Sequence, residues 1–297
     1  MDLHDLELPE PIVDVAGARE IGRDLVVIPD RSVPLVPNIG VIGGTEAVLV
    51  VDTGMGPRNA EQVLEFALEY AAGRRLYLTT THFHPEHAFG AAVFAGEAKY
   101  LVNQAQADDL AVKGPGYLEM FRGLGETVAQ ALTGVELVRP DTVYSNSYAL
   151  DLGGRVVELR ATGRAHSKGD QVVSVDDVLF TGDLVEAGQF AIFPWFPPHD
   201  VDVSGTRWLA VMQRLADAES VRTVVPGHGE VGGAQLLADT RDYLELLRDE
   251  TWRRRDSSMD EETIVAEVTD VMLRRHPDWT GQDWIASGVH CLCADHG

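Results

Sequence analysis

A strand that runs directly into a cluster of potential metal ligands constrains this chain more than any other feature. Residues 76 to 81 read LYLTTT, an apolar and β-branched run typical of a buried strand, and they continue directly into HFHPEH. Because Pro85 suits the first turn of a helix, the hexapeptide is predicted to lie at a strand-to-helix junction. Imidazoles and carboxylates are the usual ligands of zinc and similar ions. The side chains that can converge on one point here are His82, His84, Glu86 and His87.

Three further candidate ligands stand in glycine-containing loops beside predicted strands. They are His166 in GRAHSKGD, Asp183 in LFTGD and His228 in VVPGHG. Any one of these histidines, taken alone, is more often a structural residue than a ligand. Ligand-type residues that recur at strand ends along one chain instead favour a shared site, because sites are commonly built at that edge of a sheet.

The remaining patterns repeat one order of strands and helix in two halves. Strands are predicted in three short runs within 24 to 52, at 76 to 81, 155 to 161, 170 to 175, 178 to 183 and 222 to 227, and helices at 58 to 72 and 206 to 217. Short helices and a mobile connection are expected over 104 to 134. This order suits two packed sheets with helices outside.

Length and charge narrow the class of protein. A chain of 297 residues fits one large domain or two modest ones, and a single domain is favoured. The chain carries 24 Lys and Arg against 47 Asp and Glu, a net charge of −23. So acidic a surface repels phosphate groups, which argues against nucleic acid and anionic membranes as partners.

The sequence predicts a cytoplasmic protein. Its first residues, MDLHDLELPE, lack the basic and apolar segments of an export signal, and no later stretch is long and apolar enough to span a membrane. The only cysteines, Cys291 and Cys293, are too close together for an ordinary disulfide framework, as expected in a reducing compartment.

Five ordered motifs resemble the metallo-β-lactamase superfamily. They are VDTG at 51 to 54 with Asp52, HFHPEH at 82 to 87, His166, Asp183 and His228. The resemblance covers the chain from about residue 24 to 232. It implies an α/β fold, an αββα sandwich of two mixed β-sheets with outer helices. Within the single domain, 1 to 297, the core is expected at about 20 to 235 and a helical extension at about 236 to 297.

The resemblance also implies roles for individual residues. A pair of divalent ions, preferably zinc with iron or manganese as alternatives, would be held by His82, His84 and His166 at one position and by His87 and His228 at the other. Asp183 would bridge the two ions. Asp52 would orient a histidine or the nucleophilic water, with a simple turn-forming aspartate as the alternative.

Glu86 departs from the family's pattern, which has aspartate at this position as a ligand of the second metal. The longer side chain has three interpretations: it ligates after a small withdrawal of the backbone, it acts as an acid/base group, or it weakens the second metal position. Ligation is favoured. Glu86, Asp183 and Asp52 are accordingly the candidate catalytic residues.

The resemblance implies a hydrolase that cleaves an ester, lactone, thioester or related carbonyl substrate by attack of a metal-bound hydroxide. Two alternatives stay open: a redox enzyme that uses iron or manganese on the same fold, and a non-hydrolytic regulator that binds a metabolite. Hydrolysis of β-lactams is a secondary expectation, because enzymes of that kind are normally exported.

Aromatic residues near the predicted ligands are candidates for substrate binding. The loop after Asp183 carries Phe190, Phe193, Trp195 and Phe196, and Tyr117 lies between glycines in residues 114 to 125. They could form the wall of an apolar pocket for a hydrophobic small molecule, or they could pack in the core. A homodimer is the default assembly.

Overall fold

The structure is a computed structural model that describes residues 8 to 218 and 220 to 296. Residues 1 to 7, on which the prediction about an export signal partly rests, lie outside the described residues, as do both extreme ends of the predicted domain. The chain forms two compact units. The first comprises Met1–Ala161 and Gln171–Asp176, and the second comprises Thr162–Asp170 and Asp177–Gly297. A single domain with a helical extension stays a prediction.

A seven-stranded sheet in the first unit has its strands in chain order. They are β1 (Arg19–Gly22), β2 (Leu25–Ile28), β3 (Ile39–Gly43), β4 (Ala47–Val51), β5 (Arg75–Thr79), β6 (Ala98–Asn103) and β7 (Thr142–Tyr144). Neighbours from β1 to β4 are antiparallel and those from β4 to β7 are parallel, so the sheet is mixed. The runs predicted within 24 to 52 and at 76 to 81 are confirmed as β2 to β5, whereas β1, β6 and β7 were not predicted.

The first helix shows why the apolar residues of this unit form a core. Helix α1 (Gly56–Ala71) has Pro57 in its first turn, and its chain direction changes at Ala72, which adopts a left-handed conformation with φ of 48°. Val63 and Ala67 on α1 are completely buried together with Val48 and Val50 of β4. The helix predicted at 58 to 72 is therefore confirmed.

The first unit is completed by short helices and an antiparallel set of strands. The helices are α2 (Pro85–Ala88), α3 (Gln104–Val112), α4 (Gly114–Arg122) and α5 (Glu126–Ala131), and the strands are β8 (Ser147–Asp151), β9 (Val156–Ala161) and β10 (Gln171–Val175). The predicted short helices of residues 104 to 134 are thereby confirmed.

In its described residues, the second unit combines three strands with four helices, of which α7, with 22 residues, is the longest. Its elements are β11 (Val178–Glu186), α6 (Gly205–Ala216), β12 (Thr223–His228), β13 (Gly232–Gly233), α7 (Gln235–Asp256), α8 (Glu261–Arg275) and α9 (Trp284–Asp295). Strand β11 is parallel to β12, and β12 is antiparallel to β13. Among the described residues, no helix is both long and apolar enough to cross a membrane.

Candidate metal centre

The histidine cluster of the first unit lies where β5 ends and α2 begins, as the sequence predicts. His84 occupies the position just before α2, and Pro85 stands in the first turn of this helix. All four candidate ligands of the cluster are at most 6% exposed. His82 Nε2 and His84 Nδ1 lie 2.9 Å apart, so the two rings direct nitrogen atoms at a common point. Ligand atoms of Glu86 and His87 lie within 4.8 Å of each other.

The carboxylate of Asp52 contacts the main chain and one imidazole of this cluster. The residue has a φ of 69°, in the left-handed region, and its carboxylate turns toward the end of β5. Oδ1 accepts a hydrogen bond from Thr81 N at 2.7 Å, and Oδ2 lies 2.9 Å from His87 Nδ1. Since a carboxylate only accepts, the proton of His87 stands on Nδ1 and its Nε2 lone pair is left for a metal.

Buried amides fix the main chain that leads into the cluster. Gln171 Nε2 donates to Thr79 Oγ1 and to the Thr80 carbonyl, both at 2.7 Å, and Gln106 Nε2 donates to Thr80 Oγ1 at 2.5 Å. The Tyr100 hydroxyl lies 2.8 Å from Thr80 Oγ1. Burial raises the pKa of Tyr100, and the hydrogen bond with Thr80 opposes the rise, so the phenol stays protonated. The sequence reasoning missed these supports.

Tyr117 of α4 packs directly on a candidate ligand. Its ring stacks on His84 with centroids 5.1 Å apart and an interplanar angle of 21°, and it meets Phe83 edge-on at 4.9 Å. The side chain is buried. Tyr117 therefore orients the imidazole of His84, whereas contact with a substrate stays a prediction.

In the second unit, one carboxylate lies between two imidazoles. Asp183 lies in β11 and His228 ends the parallel neighbour β12, which brings both side chains to the same region of the sheet. Asp183 Oδ2 is 3.7 Å from His166 Nε2, and Oδ1 is 3.7 Å from His228 Nε2. All three side chains are buried. The two carboxylate oxygens of Asp183 thus face one imidazole each.

The aromatic loop after Asp183 divides between core and surface. Phe190 is completely buried against Tyr243 and Trp279, with ring centroids 5.8 and 5.6 Å away, and Phe193 packs on Trp208 at 5.0 Å. For Phe190 and Phe193 the structure favours core packing over the predicted pocket wall, because no part of either side chain reaches solvent. Trp195 and Phe196 are half-buried, and their role in substrate binding stays a prediction.

The donor types of the candidate ligands fit a divalent metal ion. Within each unit, buried imidazole nitrogens and carboxylate oxygens of the candidate ligands approach within 4.8 Å of each other. Nitrogen and oxygen donors of this kind suit zinc, iron and manganese, whereas sites for magnesium or calcium are dominated by oxygen.

Asp52→Asn is expected to lower zinc affinity by about 10- to 100-fold, the usual cost of losing a partner that holds a ligand. The asparagine has one oxygen for the donors from Thr81 and His87, so its amide would face one of them. Competition with a chromogenic chelator measures the affinity. Asp141→Asn is the matched control, since Asp141 also accepts a backbone N–H, that of Tyr100, in the first unit. Equal affinity for the wild type and Asp52→Asn would show that Asp52 is only a turn residue.

Comparison with known proteins identifies the family of the chain. The family model described as "Metallo-beta-lactamase superfamily" matches residues 33 to 228. The chain belongs to the metallo-beta-lactamase superfamily. The resemblance seen in the five sequence motifs is thereby confirmed, and the chain is an enzyme, a metal-dependent hydrolase of this superfamily.

Curated relatives within the metallo-beta-lactamase superfamily carry two kinds of name. The human protein named acyl-coenzyme A thioesterase MBLAC2 is 29% identical over 219 residues, which cover 67% of this chain and 75% of the human protein. The metallo-beta-lactamase type 2 of Bacteroides fragilis is 24% identical over 218 residues, 70% of this chain and 75% of that protein.

Solved structures confirm the predicted metallo-beta-lactamase fold. A metallo-beta-lactamase from Pontibacter korlensis has a TM-score of 0.62 and 19% identity, covering 77% of this chain and 98% of its own. The sec-alkylsulfatase Pisa1 from Pseudomonas sp. has a TM-score of 0.71 and 14% identity, covering 99% of this chain and 54% of its own. The α/β fold class, two mixed β-sheets flanked by helices in an αββα sandwich, is thus confirmed.

Proposed function

We propose that this protein hydrolyses a thioester with a pair of zinc ions. His82, His84 and His166 would hold one ion, His87, His228 and Glu86 the other, and Asp183 would bridge them. The observation that carries the proposal is the carboxylate of Asp183, with one oxygen 3.7 Å from each of two imidazole nitrogens. A carboxylate placed in this way can serve two neighbouring cations at once.

When bound, the two ions would lower the pKa of a water molecule and polarise the carbonyl oxygen of the substrate. The protein's own groups prepare the site for this chemistry. Asp52 Oδ2 accepts the Nδ1 proton of His87, with 2.9 Å between the two atoms. The Ile192 carbonyl oxygen accepts the Nδ1 proton of His166 in the same way, at 3.0 Å. Both rings therefore present Nε2. Glu86 or Asp183 would accept the proton of the attacking water, since both are buried carboxylates among the candidate ligands.

A thioester is the substrate class that the relatives favour. The human and bovine relatives named acyl-coenzyme A thioesterase are both 29% identical to this chain. The B. fragilis relative makes a β-lactam the second candidate, at the lower identity of 24%. The hydrophobic acyl group proposed for the substrate would meet Trp195 and Phe196. The cytoplasmic location and the homodimer stay predictions.

A substrate panel before and after chelation tests this function. It contains an acyl-coenzyme A, a neutral short thioester, a p-nitrophenyl ester, a lactone and a chromogenic cephalosporin. We expect thioester hydrolysis that chelation removes and added zinc restores. The neutral thioester has the same reacting bond but lacks the phosphates of coenzyme A. It therefore tests the reacting bond alone, since a chain of net charge −23 repels phosphate groups. Turnover of the cephalosporin without turnover of either thioester would contradict the proposal and support the second candidate.

A further inference from the structure

A buried carboxylate outside the candidate ligand set lies at the end of β11. Glu186 follows Asp183 by three residues and is only 5% exposed. Its Oε2 accepts a hydrogen bond from the main-chain N–H of Ile192 at 2.8 Å. Burying a carboxylate costs free energy that an apolar residue at the same position would not, so packing alone does not account for Glu186.

The main chain of Ile192 continues from Glu186 to a candidate ligand. The Ile192 carbonyl oxygen lies 3.0 Å from His166 Nδ1. Because a carbonyl oxygen only accepts, this contact places the proton of His166 on Nδ1 and leaves Nε2, which faces Asp183, for a metal. One residue thus joins the carboxylate of Glu186 to the imidazole of His166.

Other hydrogen bonds hold the main chain of this segment on both sides of Ile192. Residues 188 to 196 form no helix and only isolated bridges. Phe190 N–H donates to the Thr280 carbonyl at 2.9 Å, and Trp195 N–H donates to the Phe193 carbonyl at 2.7 Å. Between these two hydrogen bonds, Glu186 fixes the main-chain N–H of Ile192, the residue whose carbonyl contacts His166.

We propose that Glu186 is a positioning residue, which holds the orientation and the Nδ1–H tautomer of His166 through the main chain of Ile192. The proposal rests on the proposed function in taking His166 as a metal ligand. Metal ligands that are histidines commonly need such a partner, and the loss of one typically costs about 10- to 100-fold in metal affinity. The carboxylate itself would not touch the metal or the substrate.

Glu186→Leu, Glu186→Gln and Thr251→Val test the proposal together. Leucine removes the acceptor at similar volume, whereas the glutamine oxygen can still accept from Ile192. Thr251 is an equally buried polar residue of the second unit whose hydroxyl donates to the Leu247 carbonyl, so Thr251→Val controls for a lost buried hydrogen bond. The readouts are zinc affinity by chelator competition and the tautomer of His166 in the metal-free protein, from long-range ¹H–¹⁵N NMR.

We expect Glu186→Leu to lower zinc affinity by about 10- to 100-fold and to leave His166 as a mixture of tautomers. Glu186→Gln and Thr251→Val should keep the wild-type affinity and the Nδ1–H tautomer. A Glu186→Leu protein with wild-type values of both readouts would overturn the proposal.

If Glu186→Leu does not fold, measurements on the wild-type protein still test the proposal. A proton found on Nε2 of His166 in the metal-free wild type would overturn the proposal directly. A wild type that binds no zinc would instead contradict the proposed function, and the tautomers of the wild type and the glutamine variant would still decide the role of Glu186.

Discussion

Asp183→Ala is expected to lower both zinc affinity and hydrolysis by more than about 100-fold, because a shared ligand matters more than an outer partner. The substitution removes both oxygens that face His166 and His228 at 3.7 Å. Zinc content after dialysis and steady-state hydrolysis measure the two effects.

Two further variants separate charge from shape at this position. Asp183→Asn keeps the volume and one oxygen but loses the negative charge, so its zinc affinity should lie between those of Asp183→Ala and the wild type. Asp177→Ala removes an exposed carboxylate of the same unit and should change neither readout. If Asp183→Ala binds zinc and turns over substrate as the wild type does, Asp183 is not a bridging ligand.

Gly227→Ala is expected to cause the second largest loss. A Cβ at Gly227 would lie 1.9 Å from Asp183 Oδ1, 2.7 Å from the Gly182 carbonyl carbon and 2.8 Å from Asp183 N. Two of these atoms belong to the main chain of β11, so rotating a side chain does not relieve the clash. We expect zinc affinity to fall by at least about 10- to 100-fold. The overpacked strand pair should also lose about 1 to 3 kcal/mol of unfolding free energy.

Gly233→Ala is the matched control for this prediction. Gly233 lies on β13 beside β12, and a Cβ there would meet only the Arg222 carbonyl at 3.7 Å, an ordinary contact. Chelator competition and thermal unfolding compare the two alanine variants. A Gly227→Ala protein that matches Gly233→Ala in both measurements would show that the close approach of Gly227 to Asp183 does not determine the position of the carboxylate.

The sequence predicted the elements in which periodicity and the local ligand pattern agree. The run LYLTTT followed by HFHPEH defines both a buried strand and its polar end, so β5 and the cluster after it were predictable. The short strand β7 and the two-residue β13 were not, because so few residues establish no alternation. Strand β6, AKYLVN, follows a turn and leads directly into α3, which obscured its pattern.

Residues that act through their neighbours were beyond sequence reasoning. Gln171 lies 92 positions from the Thr79 hydroxyl that it contacts, and no local pattern marks such a pair. Glu186 reads as an ordinary loop carboxylate in LVEAG. Phe190 and Phe193 illustrate the same limit, since the sequence of this loop does not tell whether these two rings line a pocket or, as in the structure, lie completely buried.

The role of Glu86 determines how firmly the second metal position would hold its ion. Its side chain is buried, and it lies in the first turn of α2 beside His87. If Glu86 ligates, the second metal position fills as readily as the first. If it serves only in proton transfer, that position depends on the remaining ligands and loses its ion first during dialysis.

Elemental analysis of gently purified protein, paired with thioester hydrolysis before and after chelation, tests the central claim most directly. The account predicts about two zinc ions per chain and hydrolysis that disappears with the metal and returns with added zinc. About one ion per chain would identify Glu86 as the cause of a weak second position, and iron or manganese would favour the redox alternative. Protein that retains no metal and hydrolyses thioesters equally well in chelator would contradict the account.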